Sequence, residues 1–198
     1  MKTKGSNQKI TFACLTALFL AVFISSSTLA ETPDALTVTR KSVSIEHVTI
    51  KTRQKYSVVK SRIESGVKRL DESHRTLLKE DKIAELREKL KSDAQPYGLM
   101  IHYVATHGDW LALEGERRNG VVYHIGNVAA AVQMTKYAFG AGLYAPLRLA
   151  VYENTEGGTT FEYDKPSSEF KQFHNQNIDA TAESLDGKLF DLIKSVSE

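Results

Sequence analysis

The sequence predicts an α+β fold: one compact domain in which a mainly antiparallel sheet packs against helices. Strand-like and helix-like segments interleave irregularly, which favours α+β over a doubly wound sheet built on strict alternation. Period-two segments gather late in the chain around a Gly-rich turn, Glu156-Gly157-Gly158, as hairpins do. The 198 residues, 41% hydrophobic and 25% charged, suit a single domain with a real core. They exclude wholesale disorder and a polytopic membrane protein.

The leader comes first. Lys2, Lys4 and Lys9 precede an uncharged apolar stretch over residues 10–24, and Ser25-Ser26-Ser27-Thr28-Leu29-Ala30 supplies small residues. That order is a secretory signal peptide over residues 1–30, cleaved after Ala30, and it implies a periplasmic or secreted protein. The stretch is shorter than the ~20 residues a spanning helix needs, so no stable membrane span is expected after processing. Cys14 is the single cysteine, and Thr11-Phe12-Ala13 before it fits lipidation poorly. The mature chain then has no disulfide, thiolate metal site or cysteine nucleophile. It carries 23 Lys and Arg against 24 Asp and Glu, a net −1. Without a concentrated basic surface, no nucleic-acid partner is expected.

Residues 31–41 read as a polar lead-in, and the domain occupies residues 42–198. Over residues 42–52, Val43, Ile45, Val48 and Ile50 alternate with polar residues, with a phase slip near His47 that suggests a bulge. Val59, Ile63, Val67 and Leu70 predict a helix over residues 56–70. Leu78, Ile83, Leu86 and Leu90, with Glu85 four residues before Lys89, predict one helix over residues 77–90, ended by Gln95-Pro96-Tyr97-Gly98. Residues 99–104 read as a strand, and Asn119-Gly120 as a tight hairpin turn into a return strand over residues 121–125. Residues 128–137 read as a helix with Ala129, Ala130, Ala131 and Met134 inward. Leu147, Leu149 and Val151 alternate into the hairpin with Phe161 and Tyr163, and Pro166-Ser167-Ser168 breaks the second strand. Ala182, Leu185, Leu189, Leu192 and Ile193 form the inner face of a closing helix over residues 179–196.

Familiar catalytic patterns are missing: no His-Glu-x-x-His, no phosphate loop, no serine nucleophile elbow. Gly140-Ala-Gly142-Leu-Tyr-Ala145 matches a dinucleotide fingerprint by letters. That pattern needs a strand before it and a helix after it, and here the order is reversed. No cofactor is expected. His102, His107 and His124, with Asp109, are the candidate metal ligands. His102 and His107 are five apart and fall on opposite faces of a regular strand, so scattered structural histidines are the plainer reading. Glu153, Glu162 and Asp164, with Arg148 and Tyr152 nearby, are the carboxylates available for acid–base work, although charges on the solvent face of a sheet are ordinary.

Several motifs occur in order: Gly108-Asp-Trp-Leu-Ala-Leu, Tyr123-His-Ile-Gly-Asn127, Gln133-Met134-Thr135, Leu143-Tyr-Ala-Pro-Leu-Arg148, Val151-Tyr-Glu153 and Tyr163-Asp-Lys-Pro-Ser-Ser168. With Phe170-x-x-Phe173 and Leu185-Asp-x-Lys188-Leu, this series resembles the domain-of-unknown-function family 302 over about residues 98–195, most strongly at 123–168. The family's Gly-Asn-Pro stands here as Gly126-Asn127-Val128, and the charged segment at 77–90 looks like an addition. The resemblance implies a compact α+β domain, often a homodimer, and almost nothing about chemistry. Its polar motif residues map to Asn127, Gln133, Tyr144, Arg148, Glu153, Tyr163, Asp164 and Ser168.

Two readings of that set stand. Asn127, Pro146 and Pro166-Ser167-Ser168 are capping and turn chemistry. Arg148, Glu153 and Asp164 instead suit a cleft in which Arg148 grips a carboxylate or phosphate. The leading expectation is therefore an exported module that binds a small molecule or a partner. The alternatives are a hydrolase or isomerase with Glu153 or Asp164 as base and Tyr163 or His124 as acid, a histidine-based metal-binding protein, or a purely structural envelope protein.

Overall fold

A computed structural model describes residues 36–198, and the expected signal peptide over residues 1–30 lies outside the described residues. The unit Lys41–Glu198 carries all the described secondary structure. Strands β1 (His47–Thr52), β2 (Met100–Ala105), β3 (Gly120–Gly126), β4 (Leu147–Glu153) and β5 (Thr159–Asp164) form one sheet in the order β1-β5-β4-β3-β2, antiparallel throughout.

The first strand begins five residues later than expected, and its pairing with β5 runs without a bulge from His47 opposite Asp164 to Thr52 opposite Thr159. The cause lies in the partner. Past Asp164 the Lys165 N–H still reaches the Glu46 carbonyl, and then Pro166 turns the chain into helix α6 (Pro166–Phe170). Residues 42–45 have no ladder to join. The sheet's bulge falls instead in β2, where His102 is the extra residue between Ile101, opposite Ile125, and Tyr103, opposite His124.

Helix α1 (Tyr56–Gly66) buries Tyr56, Val59 and Ile63. The single helix expected over residues 77–90 is two, α2 (Glu72–Lys79) and α3 (Ile83–Asp93). Asp81 breaks them apart in the left-handed region at φ 56°, which the short polar Asp tolerates better than most side chains. Helix α2 starts earlier than the apolar pattern because Asp71 caps it, accepting from the Ser73 N–H. Leu78, expected inward, is exposed, because His74 and Leu77 take the buried stripe of that short helix.

Asn119-Gly120 is not a two-residue hairpin. Between β2 and β3 the chain makes an excursion through the single helical turn α4 (His107–Trp110) and a 3-10 turn, Leu111–Glu114. Gly108 pins it: a Cβ there would run into the Arg118 carbonyl and sit 2.8 Å from the Gly120 oxygen. The β4–β5 hairpin matches the expectation, with Gly157 at φ 79° and the Asn154 side chain accepting from the Glu156 and Gly158 N–H groups. Asn127 caps helix α5 (Val128–Thr135), where Met134 is buried while Ala129 points to solvent.

The core lies on one face of the sheet. Tyr123, Ile125, Leu149, Val151 and Phe161 point inward against Val59 and Ile63 of α1 and against helix α7 (Gln176–Ser197). Ile178, Ala182, Leu185, Leu189, Leu192, Ile193 and Val196 make the buried stripe of α7, at the spacing of an amphipathic helix. Each such large apolar side chain contributes ~1.5–3 kcal/mol by its burial. No helix among the described residues is long and apolar enough to cross a membrane.

Candidate functional site

The opposite face of the sheet is where the sequence-predicted polar residues meet. Because side chains alternate along each strand, cross-strand pairing arranges this outer face in transverse rows. The first row is polar: Tyr103 opposes His124, His124 opposes Arg148, and across β5 Asp164 opposes His47. Tyr103 and His124 make an edge-to-face contact at 5.6 Å, and His47 Nδ1 lies 2.9 Å from Asp164 Oδ1. The second row mixes Ala105, Val122, Ala150, Glu162 and Thr49; the third holds Gly120, Tyr152, Thr160 and Lys51.

The last two rows floor a groove of about 760 Å³ walled by Trp110, Leu111 and Leu113 of the β2–β3 excursion. Trp110 is 65% and Leu113 80% exposed, a large apolar surface to leave in water. Arg148, Ala150 and Tyr152 are alternate residues of β4, so the groove and the guanidinium share one face along one strand. Arg148 and Tyr152 stand ~13 Å apart by strand rise.

Beside Arg148 sits an acid that sequence reasoning missed. Glu169 of α6 is only 4% exposed, and its Oε1 is 3.8 Å from Arg148 Nη2, too long for a hydrogen bond. Burial pushes its carboxyl up to about 6; the nearby Arg148 charge opposes that rise and Asp164 adds to it. Near neutral pH this group exchanges a proton beside an exposed cation. The only sequence signal was an acid between Ser168 and Phe170 at the start of a short helix, a place where acids are ordinarily solvated.

The other predicted residues do not join this cluster. Asn127 is a cap, accepting from the Ala130 N–H and donating to the Gly98 carbonyl. Gln133 is exposed and accepts from Lys136. Tyr144 donates to Gln172 Oε1 at 3.4 Å and packs edge-on against Phe170 and Phe173. Ser168 donates to the Lys165 carbonyl and accepts from the Glu46 N–H, tying β1 to the β5–α6 turn. Glu153 accepts from Asn119 at the rim of the groove, where it also borders an open cleft lined by Lys55, Lys60 and Glu64. Tyr163 is buried on the inner face, where burial raises its hydroxyl pKa. It cannot work as the acid beside Asp164, because consecutive strand residues face opposite ways.

The histidines are dispersed as well. His107 begins α4, His124 belongs to the outer row, and His102 is the bulge residue of β2. Among the described residues no three His, Cys, Asp or Glu side chains could together hold a metal ion. The Gly140–Ala145 letters form a 3-10 turn, Phe139–Tyr144, leading into β4.

A five-stranded antiparallel sheet with α1 and α7 packed on one face and a polar row on the other defines an α+β protein of the kind the motif series implied. The chain belongs to the family described as "Domain of unknown function DUF302", whose model matches residues 74–196. The matched segment begins within α2 and takes in α3, so the charged region at 77–90 falls inside it. Among solved structures, the chain resembles the crystal structure of an uncharacterized conserved DUF302 protein from Bacillus stearothermophilus. The TM-score is 0.53 at 15% identity, covering 77% of this chain and 98% of that one, a likeness of fold. No curated protein matches this chain.

Proposed function

We propose that this is an exported binding module holding a small amphipathic molecule on the outer sheet face. The anionic group of the ligand lies on Arg148 and its apolar body in the groove under Trp110 and Leu113. Export rests on the leader; the ligand class rests on one observation, the alignment along β4 of an exposed guanidinium with an apolar-walled groove of about 760 Å³. That volume falls in the usual range of small-molecule sites, and Arg is the side chain best suited to forked contact with carboxylate or phosphate. Glu169 makes the grip pH-dependent. Ionised, it offsets the Arg148 charge; protonated, it does not, so anion affinity rises as pH falls through about 6.

Calorimetry on the exported protein with decanoate, decyl phosphate and decanol tests the reading. The two anions are expected to bind at least tenfold more tightly than the alcohol. Arg148→Ala should erase that preference, and Trp110→Ala should weaken all three. Equal affinity for decanol and decanoate removes the role of Arg148. A homodimer by light scattering that Tyr103→Asp dissociates would assign the face to a second copy instead.

A further inference from the structure

A different pocket lies at the end of the sheet, where β3 runs into α5. It measures about 190 Å³, and most of its wall is apolar: Ala131, Met134, Pro146, Leu147 and Leu185. One buried polar atom in it has no partner, the Nε2 nitrogen of His102. The bulge in β2 makes this possible, since the extra residue sets His102 beside Gly126. A Cβ on Gly126 would lie 3.8 Å from that nitrogen and 3.4 Å from Pro146. The bare glycine leaves the space open.

Of the two ring nitrogens, Nε2 is the one that is buried and has no hydrogen-bond partner. Desolvation pushes the imidazole below its usual pKa, assisted by the Arg75 and His124 charges. The ring is therefore neutral near pH 7, and the tautomer unprotonated at Nε2 turns a lone pair to the pocket. A buried polar atom left without a partner is expensive, and natural interiors rarely keep one. A lone water would satisfy it poorly, because a buried water wants two to four partners. Asn127 is already committed to Ala130 and Gly98, and the Thr135 hydroxyl donates to the Val132 carbonyl. A metal ion is no better served, as no second ligand converges there among the described residues.

We propose that this pocket binds a small uncharged ring compound bearing one hydroxyl or N–H, which donates to His102 Nε2 while its apolar body rests on Ala131, Met134 and Pro146. The size agrees: an apolar cavity of about 150 Å³ is enough for benzene. The site is separate from the outer face and goes beyond the reading of Arg148.

Phenol and toluene, nearly the same shape and differing in one donor, are the probes. With the exported protein labelled with nitrogen-15 in its histidines, phenol is expected to bind at least tenfold more tightly than toluene and to shift the His102 Nε2 resonance. His102→Phe should abolish that preference. Should His102→Phe fail to fold, Ala131→Leu, which fills the pocket and keeps the nitrogen, should lower phenol affinity at least tenfold. Equal binding of phenol and toluene overturns the proposal, as does no binding of either by folded protein. An Nε2 resonance already protonated in the free protein, or zinc chloride displacing phenol, overturns it too.

Discussion

The two faces of the sheet are made from the same strands and obey opposite rules. On β4, Leu147, Leu149 and Val151 point into the core with almost no exposure, while Arg148, Ala150 and Tyr152 look out onto the groove and the polar row. The inner face is closed by α1 and α7, so its side chains are buried in the core, and substitution acts on stability. Among the described residues, the outer face is covered at one side by the β2–β3 excursion. Substitution there acts on what the face can hold. One strand carries both jobs because its side chains alternate.

The sharpest test of this division is Phe161→Ala on the inner face. Phe161 has zero exposure, and its loss should cost about 3–5 kcal/mol in urea unfolding, with no specific effect on ligand preference. A cost below 1 kcal/mol would mean that the core does not lie where it is described.

Gly108→Ala comes next and crosses the divide. The added Cβ meets backbone at Arg118 and Gly120, which cannot swing aside as a side-chain end can. It should cost about 1–3 kcal/mol through overpacking and loosen the wall of the groove. Hydrogen exchange is expected to quicken over residues 107–118 while protection of Leu149 and Val151 stays unchanged. Equal loss of protection in both regions would merge the two faces into one cooperative unit.

Glu169→Gln has the opposite sign. In the folded protein the carboxyl titrates near 6 against 4.5 in its ordinary state, so the fold binds a proton more tightly than the unfolded chain does. The stability linked to this group is fully present below about pH 4.5 and is lost as pH rises through about 6. At pH 8 the ionised, buried Glu169 therefore weighs against folding by up to about 2 kcal/mol. Glu169→Gln should recover much of that at pH 8 and flatten the dependence of the unfolding midpoint between pH 4.5 and 7. A wild-type curve as flat as that of the variant would show a fully solvated carboxyl.

The smallest stability effect is expected for Arg148→Ala, within about 0.5 kcal/mol, because its side chain is 62% exposed. Its removal also deletes the cation that holds the Glu169 pKa down, so the carboxyl should titrate at higher pH by NMR. An unmoved Glu169 pKa would show that the 3.8 Å approach carries no coupling.

Much of this architecture could be read along the chain. Strands β4 and β5 have clean alternation around a Gly-rich turn, and α7 repeats its apolar residues at helical spacing over 22 residues. Both signals are local, so neighbours in sequence suffice. The break at Asp81 was hidden because Leu78, Ile83, Leu86 and Leu90 read as one plausible stripe, whereas His74 and Leu77 hold the buried side of α2. The start of β1 at His47 depended on a partner strand more than a hundred residues away that ends at Asp164. Arg148 and Asp164 were visible as polar strand residues. Glu169 was not, because nothing around it announces that folding will strip its water.

Local periodicity and turn chemistry were enough to establish a mixed α+β chain, its final hairpin and helix, and which residues of each strand are apolar. Those properties follow from side-chain alternation and from backbone preferences that act within a few residues. The juxtapositions needed three dimensions: Arg148 beside a dehydrated acid, a groove under Trp110, and a histidine nitrogen facing an apolar pocket without a partner. Burial and Coulomb interactions depend on distance in space, and residues such as Arg148 and Glu169 acquire that distance only once β4 and α6 have packed together.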